Sequence, residues 1–330
     1  MKTRCLAIAV IAAMTLAAQT STKAKTGAIP RTPDGHPDLQ GIWTNATLTP
    51  LERPAQFAGK PTVSDAEATA YEQSDLKTNN IDDPEAPLLA RAGSGSGPTA
   101  VGGYNNLFID RGTQLARVDG VKRTSLIIDP PDGKIPAINA ARPAAAPNGP
   151  PPLGRYDSVK DRPLAERCLV GFGSTAGPPM MPVLYNNTYQ IVQTPDTVMI
   201  LVEMVHDVRV IRMNQEHGPA NIKRWFGDSV GHWEGDVLVV DTINFNPQIR
   251  FRGSSDKLHV VERFRRMDNN TILYRATIED PNSFAKPWTI EYPFNATEGP
   301  VYEYACHEGN YAMPDILGGA RRQESEATKK

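Results

Sequence analysis

Residues 189–214 read "YQIVQTPDTVMILVEMVHDVRVIRMN", and this stretch decides the fold. Pro195-Asp196 divides it into two extended runs. In the second, Val198, Ile200, Val202 and Met204 fall on one face, and Met199, Leu201, Glu203 and Val205 on the other. That two-residue period belongs to a strand. Three further strings repeat the pattern. "SVGHWEGDVLVVDTINF" (229–245) turns at Glu234-Gly235-Asp236, and "KLHVVERFRRMDNNTILYRATIED" (257–280) turns at Asp268-Asn269-Asn270. "PWTIEYPF" (287–294) adds another strand. The strands are close-spaced, with no helix-length amphipathic segment between them, which argues against parallel crossover units. The expectation is an all-β fold: an antiparallel meander or lipocalin-like barrel with its core sheet at 189–294, long irregular Pro/Gly-rich loops and a few short helices.

Outward from that core, residues 26–60 read as extended or irregular. Ser64 to Glu67 is a capping box followed by alanines, so a helix is expected over 65–74. Strands are expected within 104–128, broken by Gly112 and Asp119-Gly120. Eight prolines lie between Pro130 and Pro152. A helix is excluded there, because proline lacks the donor and clashes with the preceding turn. The run is taken as a rigid surface strap, with a domain linker as the alternative. Residues 162–168 are expected to form a helical turn that delivers Cys168, and 313–324 a terminal helix. With 330 residues, 40% of them apolar, the chain supports one domain over 26–325.

Lys2 and Arg4 precede an apolar run from Leu6 to Ala18. This is the pattern of a secretory signal peptide over 1–18, too short for a spanning helix of roughly 20 residues. A periplasmic or secreted protein is expected. Only Cys168 and Cys306 remain past the leader. In an oxidising compartment they form one disulfide or stay as two buried thiols. The net charge of -2 excludes a basic nucleic-acid binder. No second run approaches membrane length, and the oligomeric state is not legible.

Phosphate loops, dinucleotide fingerprints and zinc-protease or calcium motifs are all missing from the string. His36, His206, His217, His232, His259 and His307 show no close ligand spacing. No cofactor and no metal site are expected, and only a metal assembled across strands is left open. Chemistry therefore has to come from polar residues riding with apolar neighbours in a barrel interior. Glu262 shares a face with Leu258, Val260 and Phe264, and Glu203 shares one with Leu201 and Val205. A carboxylate in that company is paired, or its pKa is raised. Either condition suits a general acid or base. Structural ion pairing explains the same pattern.

His206 follows Glu203 by three residues, and a bulge over Met204–Asp207 would bring them together. Arg209 shares a face with Asp207 and Ile211, where it clamps a substrate or pairs with an acidic neighbour. Trp225, His232, Trp233, Trp288 and Tyr292 are the large polar-tipped aromatics of the sheet; core packing explains Trp288 and Tyr292 equally well. Phe251–Ser255 forms a connection that orders a rim or lid. "EYACHEGNY" (303–311) groups Tyr304, His307, Glu308 and Asn310 around Cys306. The candidate catalytic residues are Glu203, His206, Glu262 and His307. Arg209, Trp233, Tyr292 and Tyr304 are the candidate substrate contacts.

As a set, "GIWTNATLTPLERP", "RTSLIIDPPDGKIP", "PLAERC", "GHWEGDVLVVDT", "FRGSSDKLHVVERF", "PWTIEYPF" and "YEYACHEGNY" resemble a group of secreted bacterial proteins usually labelled hypothetical. The resemblance covers about residues 30–325 and implies one integrated unit. In the group the segments around Cys168 and Cys306 occur together, which implies the disulfide. The group often has Trp where this chain has Ala165, and Gly-Arg-Trp where it has Gly231-His232-Trp233, which weakens any shared role for His232. The resemblance implies no particular activity. Three functions compete: a cofactor-free acid–base enzyme (lyase, hydratase or related) for a small organic molecule, a periplasmic small-molecule binding protein with an apolar cavity, and a structural envelope-associated protein.

Overall fold

The computed structural model describes residues 28–80, 109–139, 156–171 and 174–329. The expected leader (1–18) and residues 140–152 of the proline-rich run lie outside the described residues. The chain opens with β1 (Gly41–Thr44), β2 (Thr62–Val63), α1 (Asp65–Thr78), β3 (Arg117–Val118), β4 (Val121–Arg123) and β5 (Ile127–Asp129). Then come β6 (Thr188–Gln193), β7 (Thr197–Val202), β8 (Val208–Met213), β9 (Asp228–Glu234) and β10 (Val237–Ile243). The last elements are β11 (His259–Arg266), β12 (Thr271–Glu279), β13 (Trp288–Ala296) and α2 (Ala312–Ala327).

Strands β6 to β13 lie side by side in chain order, and β1 pairs with both β6 and β13. The result is a closed barrel of nine strands, with β5 added to the outer edge of β13. Closure removes the free strand edges that an open sheet leaves. β2, β4 and β3 form a separate small sheet, packed with α1 around Leu48, Phe57, Val63, Ala68 and Leu115. The all-β barrel is thus as the residue pattern indicates.

Within β7 the inward residues are Val198, Ile200 and Val202; in β11 they are Val260, Glu262 and Phe264. Two features tie the hairpins. Gly235, at φ +59°, occupies the two-residue turn that leaves Glu234 opposite Val237. Thr194 N–H donates to Thr197 O across the β6–β7 turn.

The fully antiparallel expectation needs one correction: β8 and β9 are parallel. The chain returns between them through residues 214–227 with no helix, long enough for a crossover. Gly231 on β9 allows the close approach. A Cβ there would lie 2.8 Å from Ile211 Cγ2 and 2.8 Å from Met213 Sδ on β8.

Near the turns that join β7 to β6 and β9 to β10, residues 31–39 cover the barrel. Arg31 pairs with Asp236, His36 stacks on Trp233 with ring centres 4.6 Å apart, and Leu39 N–H donates to Gln193 Oε1. Arg266 donates to the carbonyls of Asp38, Asp268 and Asn269 and lies over the Trp43 ring. Residues 174–181, just before β6, fill part of the interior, with Ala176, Met180 and Met181 buried.

Residues 130–139 lie against their surroundings through Arg53 N–H to Gly133 O, Asn139 N–H to Ser283 O, and Ala285 N–H to Ala137 O. The Ser64–Glu67 capping box is present, and α1 runs four residues beyond the expected end. Residues 163–169 form the turn expected before Cys168. Phe251–Gly253 is a short helical turn, and Ser255 is fixed by Asp280.

Candidate functional site

Arg209 points inward because its neighbours on β8, Val208 and Val210, point out. Its guanidinium meets Glu262 on β11, which is not a neighbour of β8 in the sheet, so the pair crosses the interior. Arg209 Nη1 donates to Glu262 Oε1 at 3.0 Å and Nη2 to Oε2 at 2.6 Å. Tyr274 Oη donates to Glu262 Oε1 at 2.8 Å. The Arg209 and Glu262 side chains are 1% and 0% exposed. Burial opposes the charge on Arg209, but the Glu262 carboxylate outweighs it and holds the guanidinium above its usual range.

More polar groups share this layer. Met180 N–H donates to Tyr274 Oη at 2.9 Å, and Tyr292 Oη donates to Met180 O. Tyr189 Oη donates to Thr175 O at 3.0 Å and accepts from Asn45 Nδ2 at 3.1 Å. Burial pushes the Tyr189, Tyr274 and Tyr292 hydroxyls above their ordinary range, so all three are neutral donors. Three buried polar atoms beside this network have no hydrogen-bond partner among the described residues: Arg209 Nε, Asn45 Oδ1 and Thr175 Oγ1.

The second cluster is the corner between β7 and β8. At Glu203 the backbone leaves the strand, and Met204–His206 form a short turn. Val205 and His206 have φ of +61° and +46°. A β-branched residue in the left-handed region is strained, a cost of about 1–3 kcal/mol that the surroundings must sustain. The turn buries Glu203, Met204 and Val205 together and leaves His206 exposed.

Three segments brace the corner. Asn186 Nδ2 donates to Glu203 Oε1 at 2.7 Å. Gly171 N–H lies near enough to the Asp207 carboxyl to oppose the rise in its pKa. His206 Nδ1 lies 3.1 Å from Tyr304 O. Cys168 and Cys306 are joined by a disulfide with Cα atoms 5.9 Å apart, so the Gly171 and Tyr304 braces are themselves covalently linked. Burial pushes the Asp207 carboxyl up to about 7, against smaller opposing effects of Gly171 N–H and His206.

The candidate residues therefore divide among several places. Glu262, Arg209 and Tyr292 share the interior layer. Glu203, His206 and Tyr304 meet at the corner, where a turn stands in place of a bulge and His206 contacts a carbonyl of the C-terminal string. Trp233 stacks on His36 at the covered end, and His307 is exposed beyond the disulfide. Arg209 pairs with Glu262 rather than with Asp207. On the outer wall Asp241 receives both His217 Nε2 and His259 Nε2 at 2.9 Å, and the hydrogen bond to Asp241 raises the His259 pKa. Among the described residues, no three His, Cys, Asp or Glu side chains are arranged to hold a metal ion. No described helix is long and apolar enough to cross a membrane.

Sequence reasoning missed Asp207, Tyr189, Tyr274 and Asn45. The alternation Val208-Arg209-Val210 was a usable signal that Arg209 faces inward; nothing local marked Asn45 or Thr175. In comparisons with known proteins, no family model, no curated protein and no solved structure matches this chain. What the fold defines is a closed, mixed β-barrel with a polar interior layer.

Proposed function

We propose that the protein is an exported small-molecule binding barrel whose ligand sits in the interior layer beside Tyr189. One observation carries this reading: Arg209 Nε, Asn45 Oδ1 and Thr175 Oγ1 are buried without partners among the described residues, and all three residues act on one tyrosine. Asn45 bonds the Tyr189 hydroxyl, Thr175 accepts from it through its carbonyl, and the Arg209 charge acts on it. Each unmet buried group costs about 1–3 kcal/mol, and such groups are normally satisfied by protein, water or ligand.

The ligand class follows from the partners. The Arg209–Glu262 pair is already neutral, so a neutral molecule fits. It offers a carbonyl oxygen to Arg209 Nε–H and N–H or O–H groups to Asn45 Oδ1 and Thr175 Oγ1, as small amides, lactams and ureas do. The surrounding Tyr189, Tyr274, Tyr292 and Phe294 rings supply apolar walls. Acid–base turnover at Glu262 is disfavoured, because both its oxygens are engaged and none of the six histidines is buried.

Thermal-shift titration with a panel of neutral amides, lactams and ureas tests the reading. A saturable rise in melting temperature is expected, and Thr175→Val should remove it while leaving the unliganded barrel as stable or slightly more so. Absence of any shift across the panel, or an unchanged response in Thr175→Val, refutes it. A second reading, an envelope-associated module, is favoured by the outer face of β6–β8. There Val192, Met199 and Val210 lie in one cross-strand row, each at least 41% exposed. Vesicle co-sedimentation separates the two.

A further inference from the structure

Five carboxylates are buried among the described residues: Glu203, Asp228, Glu262, Asp280 and Glu291. Four are compensated. Glu262 has Arg209 and Tyr274, Glu291 has Arg123 and Arg275, and Asp228 has Arg212 and Gly218 N–H. Asp280 accepts from Ser255 N–H, Ser255 Oγ and Asn282 N–H.

Glu203 is the exception. It is 4% exposed, holds one Asn186 amide on Oε1, and has Oε2 buried with no partner among the described residues. No ion pair reaches it among the described residues. A second acid adds to the cost: Asp110 N–H donates to Leu184 O and Asn187 Nδ2 donates to Asp110 O, which places Asp110 beside the Asn186–Glu203 contact, where burial first and the Glu203 charge second raise its pKa. A buried carboxylate with one neutral donor and a like charge nearby lacks a cation.

We propose that Glu203 and Asp110 form a binding site for a primary ammonium group, borne on a slender alkyl chain. A compact ammonium has three donors and no acceptor, which matches Glu203 Oε2 and the Asp110 carboxylate. Hydrogen bonding suits this pair better than metal coordination, since no three-ligand arrangement is found among the described residues. Entry is from the Asp110 side, because Asp110 is exposed and Asn186 half-buried. The site differs in chemistry from the interior layer: it takes a cation where that layer takes a neutral molecule, and its carboxylates are not among the groups proposed to hold that molecule.

The test is calorimetric titration of the full, oxidised chain at pH 8 with 1,4-diaminobutane. 1,4-Butanediol serves as the uncharged control and calcium chloride as the metal control. Saturable binding of the diamine alone is expected. Glu203→Gln should weaken it roughly ten-fold or more, as loss of a charge-assisted hydrogen bond implies. Asp110→Asn, which keeps the size and shape of the side chain, should weaken it less. Near-UV dichroism confirms that each variant keeps its packing, and Thr175→Val should leave diamine binding intact. The proposal is overturned if the diamine fails to bind, if the diol or calcium binds equally well, or if both variants bind as the parent does.

Discussion

Replacing Arg209 with Met tests the interior layer most directly. The substitution keeps an unbranched side chain of similar reach but removes the only cation that pairs with Glu262 among the described residues, and Glu262 is fully buried. Glu262 would retain one hydrogen bond, from Tyr274. Removing one partner of a buried ion pair costs about 3–5 kcal/mol. At about 2–4 °C per kcal/mol for a chain of this size class, the melting temperature should fall by roughly 6–20 °C. Arg209→Met/Glu262→Leu should recover most of the loss, because no buried charge remains. Urea denaturation at neutral pH measures all three proteins. A loss below about 1 kcal/mol, or no recovery in the double variant, would refute a dry, mutually dependent pair.

Cys168→Ser opens a link across a sequence separation of 138 residues and should cost up to about 5 kcal/mol in the chain-entropy account, read as a lower urea midpoint; two alkylatable thiols in the parent under non-reducing conditions would count against the bond. Asp207, raised to about 7 by burial, stabilises the fold most at acid pH and less as pH rises from about 4 through 7; Asp207→Asn should flatten that decline in a pH series of melting curves. Gly231→Ala places a methyl 2.8 Å from Ile211 and Met213 and should cost about 1–3 kcal/mol at the parallel seam, seen as faster amide exchange in β8 and β9. Intact mass of the protein from its native host should lack about 18–24 N-terminal residues, as a cleaved leader requires.

The strand alternation of residues 189–294 was legible because burial there repeats every second residue, and each tight turn carried its Gly, Asp or Asn. The parallel β8–β9 pair was not legible. It depends on the path of residues 214–227, which have no periodicity, and on a glycine whose role appears only beside Met213. Glu262 was recognisable as a charge on an apolar face. Its partner could be narrowed to Arg209 or Arg263 but not chosen between them, since Arg209 is three strands away and pairing across a lumen leaves no trace in spacing. Glu203 illustrates the limit from the other side. Simple alternation put it opposite Met204, but the turn at Val205 buries both.

The two-sided pairing of β1 bears on how the protein reaches its final form. Four residues near the start of the chain seal the barrel, with Trp43 beside Tyr189 on one flank and Ala296 on the other. A chain that crosses a membrane unfolded, as the proposed leader entails, delivers this seal first but supplies its last docking groove only when β13 emerges. Until then the strands already delivered carry an open ladder of amides and carbonyls at their growing edge. The interval between arrival and sealing grows with every residue inserted between Thr44 and Trp288, and it is the period in which two nascent chains can exchange their β1 segments.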